Sequence, residues 1–141
     1  MMVGSMGRVM ILVVLAALSA AAHFAIGPRP AVISASAGPG EILVADARAM
    51  TTPVLWVDAR SRANFETAHI PSAILLNGLE WESLAPEFLD AWEPGATIIV
   101  YCDGGACTAS HDIAERLRKQ FDLPDKVLVL KGGWEAWQAA K

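Results

Sequence analysis

The sequence predicts an α/β fold in which a mostly parallel central sheet is flanked by helices on both sides. Two observations carry that expectation. Four short apolar runs, Val54–Val57, Ala73–Leu76, Thr97–Val100 and Val127–Leu130, lack the polar alternation of a half-exposed strand, as strands covered on both faces do. The segments between them place apolar residues at helical spacing, so that strands and helices alternate along the chain. A chain of 141 residues, 54% hydrophobic, can bury one core rather than two.

The hydrophobic excess is concentrated at the N-terminus. Val9 to Ala22 is apolar apart from Ser19, follows Arg8 and contains no acid, which is the layout of an export segment. Carried on to Ile26 it would make a helix of about 27 Å, close to a membrane span. Ala20-Ala21-Ala22 offers a small-residue cleavage site, and Ala35-Ser36-Ala37 a second. Residues 1–26 are therefore read as a signal anchor or a cleaved signal peptide, with Arg8 on the cytoplasmic side. The remainder is expected to be exported. If the segment is retained, the domain is membrane-anchored on the extracytoplasmic (periplasmic) side; if it is cleaved, the domain is periplasmic or secreted. Residues 27–40, with Pro28, Pro30 and Pro39 among small residues, read as a linker, and a domain over 41–141 starts near Glu41.

Within that domain, Ala45 to Met50 is expected to form a short helix ended by Thr51-Thr52-Pro53. The strand Val54–Val57 closes at Asp58-Ala59-Arg60, and Ser61 is placed to cap a short helix holding Ala63, Phe65 and Glu66. His69-Ile70-Pro71 precedes the second strand, which ends at Asn77-Gly78. From Glu80 to Trp92 the residues Trp81, Leu84, Phe88 and Trp92 share a helical face, but Pro86 interrupts it, so one helix or two short ones are both open. Glu93-Pro94-Gly95 turns into the strand Thr97–Val100. The helix from Ala109 to Phe121 shows Ile113, Ala114, Leu117 and Phe121 on one side, with Asp112/Arg116 and Glu115/Lys119 at pairing distance on the other. After Leu123-Pro124-Asp125 comes the last strand, and Gly132-Gly133 leads into a final helix carrying Trp134 and Trp137.

The chemistry concentrates in Tyr101-Cys102-Asp103-Gly104-Gly105-Ala106-Cys107-Thr108, where a strand ends and a helix is about to begin. Ligands of parallel sheets sit beyond the carboxyl ends of the strands, and Cys102 is at such an end. Adjacent glycines let the backbone curl so that several N–H groups can face one small anion. The positive end of the following helix lowers a thiol pKa and favours the nucleophilic thiolate. Against this stands the ordinary role of a strand-end cysteine as inert packing. The two cysteines, Cys102 and Cys107, are too close in sequence to staple a fold and lack histidine partners for zinc.

With these residues in place, the chain from Glu41 to Lys141 resembles the rhodanese (sulfurtransferase) family. Val57-Asp58-Ala59-Arg60 is similar to its first-strand signature, Phe65 to Ala73 to its aromatic-x-x-Gly-His-Ile-Pro-Gly-Ala segment, Tyr101 to Thr108 to its active-site loop, and Gly132-Gly133-Trp134 with Trp137 to its closing motif. The resemblance implies that Cys102 attacks a sulfur donor, holds the transferred atom as a persulfide and passes it to a thiol or other nucleophilic acceptor, with no metal and no cofactor. Asp103, Gly104, Gly105, Ala106, Cys107 and Thr108 would line the substrate, and Asp58 and Arg60 would support the loop by buried hydrogen bonds. His69 reads as a structural residue of its turn, and His111 as a solvated helix residue or a contact for the acceptor. The tryptophans read as packing residues.

The chain departs from the family pattern at Ala68 and Ser72, which stand where glycines are usual. The loop also carries Asp103 and no cation of its own, which disfavours a dianionic donor such as thiosulfate. Cys107 is either a resolving thiol for a modified Cys102 or a small residue at the helix start. Two other functions stay open: a non-catalytic binding module, and a Cys102/Cys107 thiol redox switch. A phosphatase of related fold is disfavoured because no arginine lies between Cys102 and Asp112 to clamp a phosphoryl group. A net charge of -4 without a basic cluster argues against nucleic acid, so the expected partners are the small sulfur donor, its acceptor, and a membrane through the N-terminal segment.

Overall fold

The computed structural model describes residues 36–141; residues 1–26, read as an export segment, and most of 27–40, read as a linker, lie outside the described residues. Ten elements follow in order: β1 (Glu41–Ile42), α1 (Val44–Ala49), β2 (Val54–Asp58), α2 (Arg62–Thr67), β3 (Ile74–Leu75), α3 (Trp81–Ala91), β4 (Thr97–Tyr101), α4 (Ala109–Phe121), β5 (Val127–Leu130) and α5 (Gly133–Ala139). The strands form one sheet in the order β1-β5-β4-β2-β3, and every neighbouring pair runs parallel. Among the described residues no helix is long and apolar enough to cross a membrane.

All five residues of β4 are buried, which explains its unbroken apolar run: it is the central strand and has helices on both faces. Successive side chains alternate between two cores. Ile98 and Val100 join Val57, Leu75, Phe88, Ile113, Leu117 and Val127 beneath α3 and α4. Ile99 and Tyr101 point the other way, to Ile42, Val44, Ala47, Ile70 and Leu130, with Trp134 and Trp137 of α5 packed against them. Cys102 continues the alternation and faces the α3/α4 side.

One open alternative is decided and two local expectations change. The stretch from Trp81 to Ala91 is one helix with Pro86 inside it. Pro86 sits on the exposed face, while Trp81, Leu84 and Phe88 bury the other, so core contacts on both sides of the proline hold the helix through a missing hydrogen bond. Arg116 does not pair with Asp112 but reaches Glu82 at 3.1 Å and lies 4.1 Å over the Trp81 ring, whereas Glu115 and Lys119 do pair. Glu41–Ile42, read only as the start of the domain, is an edge strand in register with Val129 and Leu130. Ser61 does cap α2, its hydroxyl accepting from the Asn64 amide at 3.3 Å.

Candidate active site

Cys102 follows the last residue of β4. Its neighbour across the sheet is the end of β2, because Asp58 is in register with Tyr101 and the Ala59 amide donates to the Tyr101 carbonyl at 2.8 Å. The two carboxyl ends thereby bring Asp58-Ala59-Arg60 alongside the cysteine loop.

Arg60 is nearly buried and Asp58 fully so. Such a pair persists only if its hydrogen bonds are well satisfied. Arg60 Nη2 donates to Asp58 Oδ2 at 2.7 Å and to the Ala68 carbonyl at 2.7 Å, and its Nε donates to both Asp58 oxygens. The guanidinium also lies 4.8 Å over the Trp134 ring, and Nη1 is 3.6 Å from Asp103 Oδ1. One side chain thus joins β2, the turn before β3, α5 and the cysteine loop. Tyr101, beneath it, receives the Ile70 amide on its phenol oxygen at 3.1 Å, and burial pushes that phenol's pKa well up.

The loop itself turns at Gly104 and Gly105, whose φ angles are 139° and 55°. The Cys107 amide donates to the Gly104 carbonyl at 3.1 Å. This closes the turn and brings Cys107 back to Cys102: the two Cα atoms are 6.5 Å apart and the sulfurs are joined as a disulfide. Beyond the turn, Thr108 is the N-cap of α4 and lends no side-chain hydrogen bond.

The far side of the loop is held by α5. The amides of Trp134 and Glu135, free of helical partners in the first turn, donate to the carbonyls of Cys102 (2.8 Å) and Asp103 (2.9 Å). This tether requires Gly133. A Cβ there would fall 2.3 Å from the Cys102 carbonyl oxygen, and the residue has φ 53°. In the sequence the Gly132-Gly133-Trp134 segment is no more than a closing motif; the structure makes it the clamp on the cysteine loop.

In front of Cys102 opens a hollow of about 450 Å³, lined by Gly104, Gly105, Cys107, Ser110, Lys131 and Gly133 among others. Cys102 is almost fully buried at its floor, with Sγ 3.3 Å from Ser110 Oγ and 3.5 Å from the Cys107 carbonyl oxygen. Ser110 is not among the residues that the sequence motifs mark, yet the sequence carries a signal for it: it falls on the apolar face of α4, in step with Ile113, Ala114 and Leu117, where a hydroxyl needs a partner. Its hydroxyl can donate to a thiolate or persulfide at Cys102.

Lys131, Glu41 and His111 form the rim, also unread as a group. Lys131 Nζ is 2.9 Å from Glu41 Oε2, and His111 Nε2 is 3.8 Å from Glu41 Oε1. The Lys131 hydrogen bond, and then the Gly38 amide, hold the Glu41 carboxyl below its usual pKa. His69 stays away from the hollow, stacked on Phe65 with Nδ1 2.8 Å from the Phe65 carbonyl. Among the described residues no group of three His, Cys, Asp or Glu side chains is placed to hold a metal ion.

A family model, the Rhodanese-like domain, matches residues 43–140. Among solved structures, a Bacillus halodurans protein is similar at 26% identity and a TM-score of 0.58, over 71% of this chain and 72% of that one. A rhodanese-like domain protein from Staphylococcus aureus is similar at 22% identity and 0.53, over 69% and 89%. A rhodanese-related protein from Thermoplasma volcanium is similar at 18% identity and 0.51, over 71% and 91%, and these last two likenesses are of fold alone. No curated protein matches the sequence.

Proposed function

Because the chain belongs to the rhodanese-like domain family, we propose that it is a sulfurtransferase or persulfide carrier that moves a sulfane sulfur through Cys102. The observation that supports this most is the position of the Cys102 sulfur, at the floor of the 450 Å³ hollow and 3.3 Å from a buried hydroxyl, at the mouth of a glycine turn and a helix N-terminus. A cysteine serving only as packing needs no such hollow.

In the reduced protein the Cys102 thiolate attacks the outer, sulfane sulfur of a donor. The donor's S–S bond breaks and its remainder leaves with the electron pair, while the new Cys102–S–S⁻ anion is held by amides of the Asp103 to Thr108 loop other than that of Cys107, which closes the turn, and by Ser110. A nucleophilic acceptor, typically a thiolate, then takes the terminal sulfur, and the Cys102 thiolate departs unchanged. Storing the atom covalently divides one transfer into two easier displacements.

The charges around the hollow bear on the donor. Lys131 and Glu41 line the hollow as an ion pair, Asp103 stands on its loop and Glu135 lies against Gly104, while Arg60 and Asp58 form a buried pair behind the loop. Arg60 moderates Asp103 but is already committed to Asp58. The excess of negative charge favours donors with one negative charge or none, such as small persulfides and thiosulfonates, over dianionic thiosulfate. Delivery outside the cytoplasm by residues 1–26, as an anchor or a cleaved signal, belongs to the same proposal.

The test is transfer of sulfane sulfur from each donor class to a small thiol, followed as released sulfide, with the reduced full chain and its Cys102→Ser variant. The parent is expected to accelerate transfer, and Cys102→Ser to leave only the background rate. Equal rates for the two proteins with every donor would leave a non-catalytic binding module as the better account.

A further inference from the structure

The hollow holds a second sulfur that the transfer cycle does not use. Cys107 lines it, is partly exposed, and is brought back to Cys102 by the turn at Gly104 and Gly105. The Cα separation of 6.5 Å lies within the span of a disulfide, and the structure joins the two sulfurs. The inner sulfur of a persulfide on Cys102 is therefore within reach of Cys107 without rearrangement of α4 or β4.

We infer that Cys107 resolves the Cys102 persulfide, so that the domain releases its sulfur as sulfide instead of handing it to an acceptor as a sulfane atom. The inference rests on the persulfide proposed above. The Cys107 thiolate attacks Sγ of Cys102, forming the Cys102–Cys107 bond. The bond between Cys102 Sγ and the terminal sulfur breaks, and that sulfur leaves as hydrosulfide with the electron pair, taking up the proton that Cys107 gave up. The two cysteine sulfurs are oxidised to a disulfide and the sulfane sulfur is reduced to sulfide, so the step balances internally. An external dithiol then reduces the disulfide, becoming a disulfide itself, and returns both thiols. The joined pair in the structure corresponds to the chain after sulfide has left. The net reaction is reduction of a sulfane sulfur by a dithiol, with the Cys102 nucleophile unavailable to further donor until the dithiol acts.

Cys107 supplies its own nucleophile at high effective concentration, because the turn already holds it within bonding reach.

The test uses the full chain, reduced, freed of reductant, and given one equivalent of a small thiosulfonate donor before quenching with an alkylating agent. The parent is expected to release about one equivalent of sulfide, to show neither cysteine alkylated, and to weigh about 2 Da less than the dithiol form, the mark of an intramolecular disulfide. Cys107→Ser is expected to release none and to carry a stable gain of about 32 Da on Cys102, one sulfur atom held covalently. Cys107→Ala should repeat that result, and Cys102→Ser should show neither adduct nor sulfide. A parent that keeps the added sulfur on Cys102 with Cys107 open to alkylation, as in Cys107→Ser, overturns the resolving role and leaves the persulfide cycle standing. Absence of any adduct on Cys107→Ser overturns both.

Discussion

Replacing Gly133 with alanine is expected to unfasten the cysteine loop, and the size of the effect follows from three local terms. Gly133 has φ 53°, a left-handed conformation that costs a residue with a Cβ about 1–2 kcal/mol. The new methyl would lie 2.3 Å from the Cys102 carbonyl oxygen, 3.0 Å from its carbon and 3.1 Å from the Gly104 nitrogen. These are backbone atoms, so no side chain can swing aside; the start of α5 must withdraw from the loop. Withdrawal breaks the hydrogen bonds from Trp134 to Cys102 and from Glu135 to Asp103, each worth about 0.5–1.5 kcal/mol net. The sum is about 2–5 kcal/mol, with a loss of at least about 10 °C in melting temperature for a domain of this size. Gly105→Ala is the matched control, since Gly105 has φ 55° but nothing within 4 Å of its would-be Cβ. It should lose only the conformational term, about 1–2 kcal/mol. Urea denaturation of both variants beside the parent measures the difference. Equal losses would show that the clamp by α5 contributes nothing and that only backbone handedness is at stake.

Ser72 occupies an exposed turn position with φ 66°, so Ser72→Gly should stabilise the fold by about 0.5–1 kcal/mol, relief of the left-handed penalty exceeding the added freedom of the unfolded chain; thermal melting checks it, and a fall in midpoint would contradict it. Ser110→Ala removes the hydroxyl facing the Cys102 sulfur and should slow persulfide formation about tenfold, the equivalent of one charge-assisted hydrogen bond of about 1.4 kcal/mol, in stopped-flow measurements with a thiosulfonate. An unchanged rate would remove Ser110 from the site. Glu41 has its folded pKa below the usual 4.5 because Lys131 and the Gly38 amide favour its charged form, so its contribution to stability is complete above about pH 4.5 and fades as pH falls through the lowered value. The stability gap between the parent and Lys131→Met should accordingly be steady near neutral pH and narrow below about pH 4.5, as read from urea midpoints; a gap that widens on acidification would have the wrong sign.

The parts of the fold that could be read from the sequence are those whose environment is uniform along the strand or helix. Thr97–Val100 is apolar throughout because β4 is covered on both faces, and Ile113, Ala114 and Leu117 mark the buried side of α4 because that side meets a single core. What escaped was set by partners distant in sequence. Two residues, Glu41 and Ile42, have no periodicity to detect, and they form a strand only because Val129 and Leu130 lie alongside. Pro86 argues locally for a break, and the burial of Trp81, Leu84 and Phe88 overrides it. Of the two departures from the glycine pattern, Ala68 sits at φ -167°, extended backbone open to any residue, while Ser72 sits at φ 66°, where a glycine has a physical purpose. The sequence treats the two positions alike.

The candidate site divides along the same line. Its loop is contiguous, so Cys102 to Thr108 could be picked out together. Its walls and the support behind the loop come from both ends of the domain: Glu41 on the edge strand and Lys131 and Gly133 after β5 line the hollow, and Arg60 after β2 reaches Asp103 of the loop. They meet only because the order β1-β5-β4-β2 sets the ends of four strands side by side. This changes the electrostatic argument about Asp103. Taken alone, its carboxylate sets the charge of the loop; in the folded chain Arg60 stands 3.6 Å away and Lys131 adds a second cation across the hollow, each of them tied to a further carboxylate. The field at Cys102 is therefore graded by the balance of ion pairs on neighbouring strand ends, and the donor preference proposed above would rest on the sheet's order as much as on the cysteine loop.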